Sequence, residues 1–460
     1  MTDYAFLDDL LDGEQVSRRE HARDERSGDW STTPEEAVRP DVVVWPDSTE
    51  DVSAVLAAAD ERGVPVTPYA AGTGLEGGAV PVERGISMDL TRMDAILDVR
   101  PADLQVDVQA GVLGSAVDEA VESHGLFFPP LPSSGDISTV GGMIATDASG
   151  MQTVKYGEVA DWVLELEAIL ADGTVVKAGS KARKTSAGYN LKDLLVGSEG
   201  TLAVVTRATL ELAGRPQQVR GGRVVFPDLE SAGAAISDAV QSGVDVAKIE
   251  LMGPFAAKLG NNYAGTDLPD SPMVFVEFHA DHGIDEEIEF CRTVFAAHDF
   301  IEFEMAADEE MAELWQLRRD MAYALREWDP DLHPLHPGDV TVPIGSFPDI
   351  VRFARERADE ADLPMACYGH AGDGNLHYEI LVDPDDEAMV ERGHEVYAAV
   401  VEQAIDLGGT ATGEHGVGLG KRAFLEREHG AGAVRVMRDI KEALDPNGTL
   451  NPGKIFPDED

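Results

Sequence analysis

The chain reads as a two-domain α/β protein, and three observations carry that reading. Its 460 residues exceed the size at which one hydrophobic core keeps growing, so at least two cores are expected. Strand-like and helix-like segments alternate along most of the sequence. Near the middle, GRPQQVRGG (214–222) interrupts that alternation and reads as a linker.

In chain order, a polar N-terminal arm (1–38) precedes a strand at VVVW, a helix at EDVSAVLAAADERG and a strand at VPVTPYA. This first domain (39–214) continues to LADGTVVKAG and to TLAVVTRATLEL, which ends at Leu212. A second α/β domain (215–410) opens with VVFPDLESAGAAISDAV, AKIELM and SPMVFVEFHA, followed by helices expected at 284–297 and 308–328. A hairpin, a helix at 386–406 and a C-terminal segment (411–460) ending LDPNGTLNPGKIF complete the chain, without internal repeats.

Composition narrows the function classes. With 43% apolar residues the chain can bury substantial cores, so its charge does not signal disorder. Its 86 acidic residues against 36 basic ones give a formal charge of -50, a surface that repels nucleic acid and anionic membranes. Only ten of the basic residues are Lys and the acids run along the whole chain, which reads as a halophilic, cytoplasmic protein, at most peripheral to the inner membrane face. Two cysteines, Cys291 and Cys367, exclude a disulfide framework and a cysteine-ligated iron–sulfur cluster within the chain. No stretch has the length or apolar character of a transmembrane span or a signal peptide.

GTGLEGG (72–78) matches the dinucleotide-binding glycine pattern literally, but GAVP and a strand follow it instead of the helix that would face a pyrophosphate. Nicotinamide binding through a Rossmann loop is therefore excluded. What survives is a nest of backbone amides around a phosphate, or a plain glycine-rich connection. Two further segments, 132–157 and 184–206, are dense in Gly, Ser and Thr where a core would be apolar.

In CYGHAGDGNLHYEI (367–380), Asp373-Gly374 between alternating segments predicts a two-residue hairpin turn. Counting outward pairs Gly372 with Asn375, Ala371 with Leu376 and His370 with His377. Opposed side chains on one face lie about 4.5–5.5 Å apart at Cβ, close enough for two imidazoles to share a divalent metal. Cys367 falls on the other face. Further on, GTATGEHGVG offers the carboxylate of Glu414 and a third imidazole, His415, between glycines that permit both to reach one site. Paired histidines at a hairpin edge with no ligand are the alternative. Glu379 shares the face of His377, as an extra ligand, a charge that repels large anions, or a solvated acid.

In AADEEMAELWQLRRDMAYALREWD, the residues Met311, Leu314, Trp315, Met321, Ala322 and Leu325 form one helical stripe with Arg318 at its centre and Arg319 outside it. A buried guanidinium calls for an anion, either a substrate carboxylate or a structural acid.

Five ordered motifs, GTGLEGG, VGSEGTL, GHxGDGNLH, TGEHGxGLGK and LNPGK, resemble the vanillyl-alcohol-oxidase-like superfamily, the type 4 FAD-binding oxidases and transferases. The branch most similar holds cytochrome-linked D-lactate dehydrogenases and glycolate oxidase flavin subunits. This resemblance implies a two-subdomain PCMH-type FAD-binding domain and a ferredoxin-like α/β substrate (cap) domain, with a C-terminal helical segment returning to the flavin. It implies that Gly72, Thr73, Gly74, Gly77 and Gly78 cradle the FAD pyrophosphate. Pro132, Ser134, Thr139, Gly142, Ala145, Ser149, Tyr156, Glu199, Gly200 and Val205 would line the rest. The first loop, YAAGTGLEGG, has no His or Cys, so the FAD is expected to be non-covalent.

The same resemblance implies that His370, His377 and Glu414 bind a divalent metal, zinc first with manganese or iron as alternatives. His415 matches the catalytic base, and Arg318, in the LWxxR motif, the residue that holds the substrate carboxylate. The function expected is FAD-dependent oxidation of a small D-2-hydroxy acid, foremost D-lactate to pyruvate. Relatives acting on 2-hydroxyglutarate carry a lysine where this chain has Pro337, which favours a small substrate. Glycolate oxidation is the first alternative, and a transferase like alkylglycerone-phosphate synthase the second. The electron acceptor would be a quinone, cytochrome or electron-transfer protein, and a homodimer is compatible with the family.

A charge this far from zero repels itself when unscreened. With FAD saturating, the melting temperature is expected to fall on going from molar salt to about 0.1 M, where the Debye length is about 10 Å. Equal melting temperatures would remove the halophilic reading.

Overall fold

The computed structural model describes residues 4–457, with no account of the side chains of 308 and 309. The chain divides into two compact units. The first comprises 1–149, 158–215 and 414–460; the second comprises 150–157 and 216–413. Thus residues 150–157, inside the segment assigned from sequence to the first domain, fold with the second. Lys155 pairs there with Asp245, and Val154 lies against Gly372.

The two larger sheets of the first unit each have their own core. Strands β1 (Val16–Ser17), β2 (Val42–Val44), β3 (Val66–Tyr69) and β4 (Ile86–Asp89) run in the order β1-β2-β4-β3, parallel except at β1. Helix Thr49–Asp60, N-capped by Ser48, links β2 to β3 and buries Val52, Val55 and Leu56. The second sheet contains β5 (Ile96–Arg100), β6 (Gln105–Gln109), β8 (Val163–Ile169), β9 (Val175–Gly179) and β10 (Val204–Glu211), in the antiparallel order β5-β6-β10-β8-β9. The short strands β7 (Leu126–Phe127) and β11 (Ala213–Gly214) pair separately.

The second unit is one antiparallel sheet of β12 (Gln218–Val225), β13 (Lys248–Met252), β14 (Met273–Ala280), β15 (Glu302–Met305), β16 (His333–Pro334), β17 (Gly338–Thr341), β18 (Met365–His370) and β19 (Asn375–Val382). The order β15-β12-β14-β13, with helices Leu229–Gln241 and Ile284–Phe295 as crossovers, is the ferredoxin-like split βαβ arrangement. Hairpin β18–β19 extends it at the β13 edge, and β16 and β17 pair with β19.

Alternation gives this sheet two different faces. One carries Ile249, Leu251, Val274, Val276, Cys367, Leu376 and Tyr378, all buried. Helices Leu229–Gln241, Phe347–Glu360 and Glu387–Asp406 lie against β18, β19 and their neighbours. The other face carries Glu250, Tyr368, His370, His377 and Glu379. On it, Met252, Met273 and Phe275 pack with Leu314, Trp315 and Leu317 of helix Asp308–Arg319.

Three expectations need correction. The hairpin register is Tyr368 with His377 and Cys367 with Tyr378, not His370 with His377. A two-residue turn needs positive φ at both positions, but Ala371–Asp373 is a single 3₁₀ turn and only Gly374, at φ 86°, is left-handed. The helix expected over 308–328 breaks at Asp320 into Asp308–Arg319 and Met321–Glu327. The break shifts the helical phase, so Ala324 is buried and Ala322 exposed. The C-terminal segment, for which the family resemblance implies helix, contains helix Leu425–Leu444, kinked at Gly430. Among the described residues no helix is long and apolar enough to cross a membrane.

Candidate functional site

In the first unit, the glycine loop leaves β3 and leads to β4 without opening a helix. Gly72 and Gly77 adopt φ of 65° and 72°, which side chains strongly disfavour. A Cβ on Gly77 would lie 3.0 Å from Leu419 Cδ1. Among the described residues, the amides of Gly72, Thr73 and Gly74 donate to no protein acceptor. Thr73 Oγ1 meets Ser138 Oγ at 3.1 Å, which meets Ser134 Oγ at 2.7 Å.

The C-terminal segment fixes this loop from behind. Leu419 N donates to Glu76 O, and Asn451 Nδ2 donates to both Gly78 O (3.0 Å) and Glu199 O (2.8 Å). The Glu199 carboxylate accepts from Val417 N and Gly418 N at 2.7 and 2.8 Å. Burial raises its pKa, against those two bonds and the charge of Lys454. Burial in turn lowers Lys454 to about 8, opposed by Glu199. Ser149 Oγ donates to Glu414 Oε2 at 3.2 Å, and His415 Nδ1 lies 3.9 Å from Glu76 Oε1.

In the second unit, His370 and His377 are buried on one sheet face, as diagonal neighbours. Their rings meet edge to face with centroids 5.2 Å apart, and each offers a nitrogen within 4.8 Å of the other's. His370 Nδ1 lies 2.8 Å from Glu250 Oε1, and Arg318 Nε donates to Glu250 Oε2 at 2.8 Å. Arg318 Cζ lies 4.7 Å from the centre of the Tyr368 ring, and its buried Nη2 has no partner among the described residues. Asp339, opposite His377 on β17, accepts from Asn375 Nδ2 (2.6 Å), Thr412 Oγ1 (3.0 Å) and Gly413 N (2.8 Å). Gly413 is so enclosed that a Cβ would lie 2.3 Å from Asn375 Nδ2 and from Thr341 Oγ1. The peptide that follows it leads directly to Glu414 and His415.

Residues 215–455 match the C-terminal domain of FAD linked oxidases, and residues 40–179 match an FAD binding domain. The chain belongs to the FAD-linked oxidases. A probable mitochondrial D-lactate dehydrogenase of Danio rerio is 36% identical, across 95% of this chain and 87% of the relative. Glycolate oxidase subunit GlcD of Bacillus subtilis (strain 168) is 34% identical, across 96% of this chain and 95% of the relative. The fold is that of p-cresol methylhydroxylase, at a TM-score of 0.80 and 16% identity over 98% of this chain and 96% of that one. Alkyldihydroxyacetonephosphate synthase shares it, at a TM-score of 0.75 and 20% identity over 98% and 86% of the two chains.

An FAD-linked oxidase needs a cradle for the pyrophosphate, and the undonated amides of Gly72, Thr73 and Gly74, with Gly72 left-handed, fit one. Of the other residues expected around FAD, Thr139 caps helix Val140–Thr146 through Gly142 N, and Ala145 O accepts from Glu199 N. Gly200, at φ 68°, approaches Pro68 on β3, and Val205 is buried in β10. Pro132 O accepts from Gly135 N in the Ser134 turn. Tyr156 belongs to the second unit, where its hydroxyl meets His279 Nδ1 at 2.9 Å. Burial pushes both Cys291 and Cys367 up to about 12, so both are thiols at neutral pH.

Glu76, Glu250 and Asp339 were not anticipated. Glu250 had a signal, being an acid flanked by apolar residues in the strand AKIELM.

Gly77→Val is expected to lower FAD affinity roughly ten- to hundred-fold, because a β-branched residue held at positive φ costs about 1–3 kcal/mol. The flavin-to-protein absorbance ratio of the purified variant measures this. Full occupancy at limiting FAD would show that the loop does not form the cradle.

Proposed function

We propose that this FAD-linked oxidase converts a small D-2-hydroxy acid, D-lactate, into its 2-oxo acid. The observation that carries the reading is the buried Nη2 of Arg318, which has no partner among the described residues, on the sheet face that also bears His370 and His377. A guanidinium held through Nε still has Nη2 to offer a carboxylate, and a buried donor without a partner is costly. D-lactate dehydrogenases and GlcD subunits among the relatives support the same substrate class.

In this reading His370, His377 and Glu414 hold a divalent metal, with zinc first and manganese or iron as alternatives. Two neutral imidazoles and a carboxylate suit such an ion. When bound, FAD accepts hydride at N5 and the metal lowers the pKa of the substrate hydroxyl. Arg318 orients the acid by its carboxylate. His415 takes the hydroxyl proton, and nearby Glu76 and Glu414 stabilise the imidazolium that results. Gly72, Thr73, Gly74, Gly77 and Gly78 hold the pyrophosphate non-covalently. Two buried, free cysteines agree with a reducing, cytoplasmic compartment. Reoxidation of the bound cofactor would fall to a quinone, cytochrome or electron-transfer protein.

Anaerobic mixing of the oxidised protein with D- and L-2-hydroxy acids tests the assignment. D-lactate is expected to bleach the flavin band fastest. Faster bleaching by glycolate would move the assignment to glycolate oxidation, and no bleaching by any D-2-hydroxy acid would overturn it. For the metal, elemental analysis of His370→Ala and of His377→Ala is expected to show its loss with the flavin spectrum retained. Stoichiometric metal in both variants would reject these ligands.

A further inference from the structure

We propose that Glu250 is a positioning residue that sets both the ligating nitrogen of His370 and the carboxylate-binding edge of Arg318. This rests on the reading above for what those two residues bind. Three observations carry it. Strand pairing places Glu250 on β13 directly opposite His370 on β18. Glu250 is fully buried, yet its two oxygens serve two different partners, His370 Nδ1 and Arg318 Nε, each at 2.8 Å. Finally, Arg318 Nη2 is buried without a partner among the described residues, so the bond to Nε leaves a donor available.

A carboxylate only accepts hydrogen bonds, so His370 must carry its proton on Nδ1, which leaves the Nε2 lone pair for a metal. The same carboxylate grips Arg318 at Nε, while the Tyr368 ring supports the guanidinium face. The planar group is thereby held in orientation with one buried edge free. A glutamine cannot replace this. If its oxygen accepts from Arg318 Nε, its NH₂ faces His370 Nδ1, which can pair with it only as the tautomer protonated on Nε2 and unable to ligate, and a neutral oxygen holds the guanidinium less firmly than a carboxylate does. A single carboxylate therefore couples metal binding to substrate-acid binding.

The test uses the FAD-loaded enzyme and two equilibrium measurements that need no turnover. Zinc affinity is measured by competition with a chromophoric chelator. Affinity for pyruvate is measured in the metal-free enzyme from the perturbation of the oxidised flavin spectrum. Glu250→Gln is expected to weaken zinc by about 10- to 100-fold, the usual effect of losing an outer partner of a ligating histidine. It is also expected to weaken pyruvate binding at least several-fold. Arg318→Lys should impair only pyruvate binding and His377→Ala only zinc binding, so the joint loss marks Glu250. Glu250→Asp keeps the carboxylate and is expected to recover one of the two affinities.

Wild-type affinities in Glu250→Gln would overturn the proposal. So would failure of both Glu250 variants to fold with FAD, since Glu250 would then be a core element only. If the wild-type protein itself binds neither zinc nor pyruvate, the proposed function fails, an outcome separate from failure of the positioning role.

Discussion

Pairing of β13 with β18 in the second unit sets which side chains share its polar face. Side chains alternate across a strand, so a slip of one residue would turn His370 and Tyr368 to the apolar face and Cys367 and Tyr378 to the polar one. The apolar face forbids that slip. Cys367, Leu376 and Tyr378 are all buried, and Tyr378 Oη bonds Tyr397 O on helix Glu387–Asp406. Burial of apolar area on one face thus enforces the geometry of acids, imidazoles and guanidinium on the other. Glu250 needs only the register to meet His370, and Arg318 reaches the same carboxylate because Leu314, Trp315 and Leu317 fix the face of its helix.

That argument explains which parts of the hairpin were legible. Asp-Gly suggests a two-residue turn, and the alternation suggests that His370 and His377 share a face. The turn was misread and the face was not, because the true register differs by two residues and the side-chain period is two. The four-residue loop exists because Ala371 and Gly372 are tucked against the sheet. A Cβ on Gly372 would lie 2.3 Å from Ile249 Cγ2, a contact that no local sequence rule contains. Likewise Arg318 was legible from helical spacing through Trp315. The break at Asp320 was not, since neither glycine nor proline marks it.

Long-range partners were the least legible. The GTGLEGG loop reads as a phosphate nest, but its shape depends on Leu419 and Asn451, several hundred positions away in sequence. Family resemblance placed Glu199 at the cofactor. In the structure its carboxylate clips the amides of Val417 and Gly418, while its backbone carbonyl receives Asn451. A motif therefore identifies a residue that matters without saying which of its atoms does the work.

Three acids withdrawn from water, half-buried Glu199 and fully buried Glu250 and Asp339, follow one rule. Glu199 accepts two amides, Glu250 an imidazole and a guanidinium, and Asp339 an amide, a hydroxyl and a side-chain amide. Removing a carboxylate from water is costly unless its oxygens are bonded, so each of these three recruits donors from separate segments and holds them in fixed relation. In a chain with 86 acidic residues the informative ones are the few that are buried. Asp339 shows the consequence. By holding Gly413 N and Asn375 Nδ2, it ties the end of the second unit's chain to the hairpin strand that carries His377.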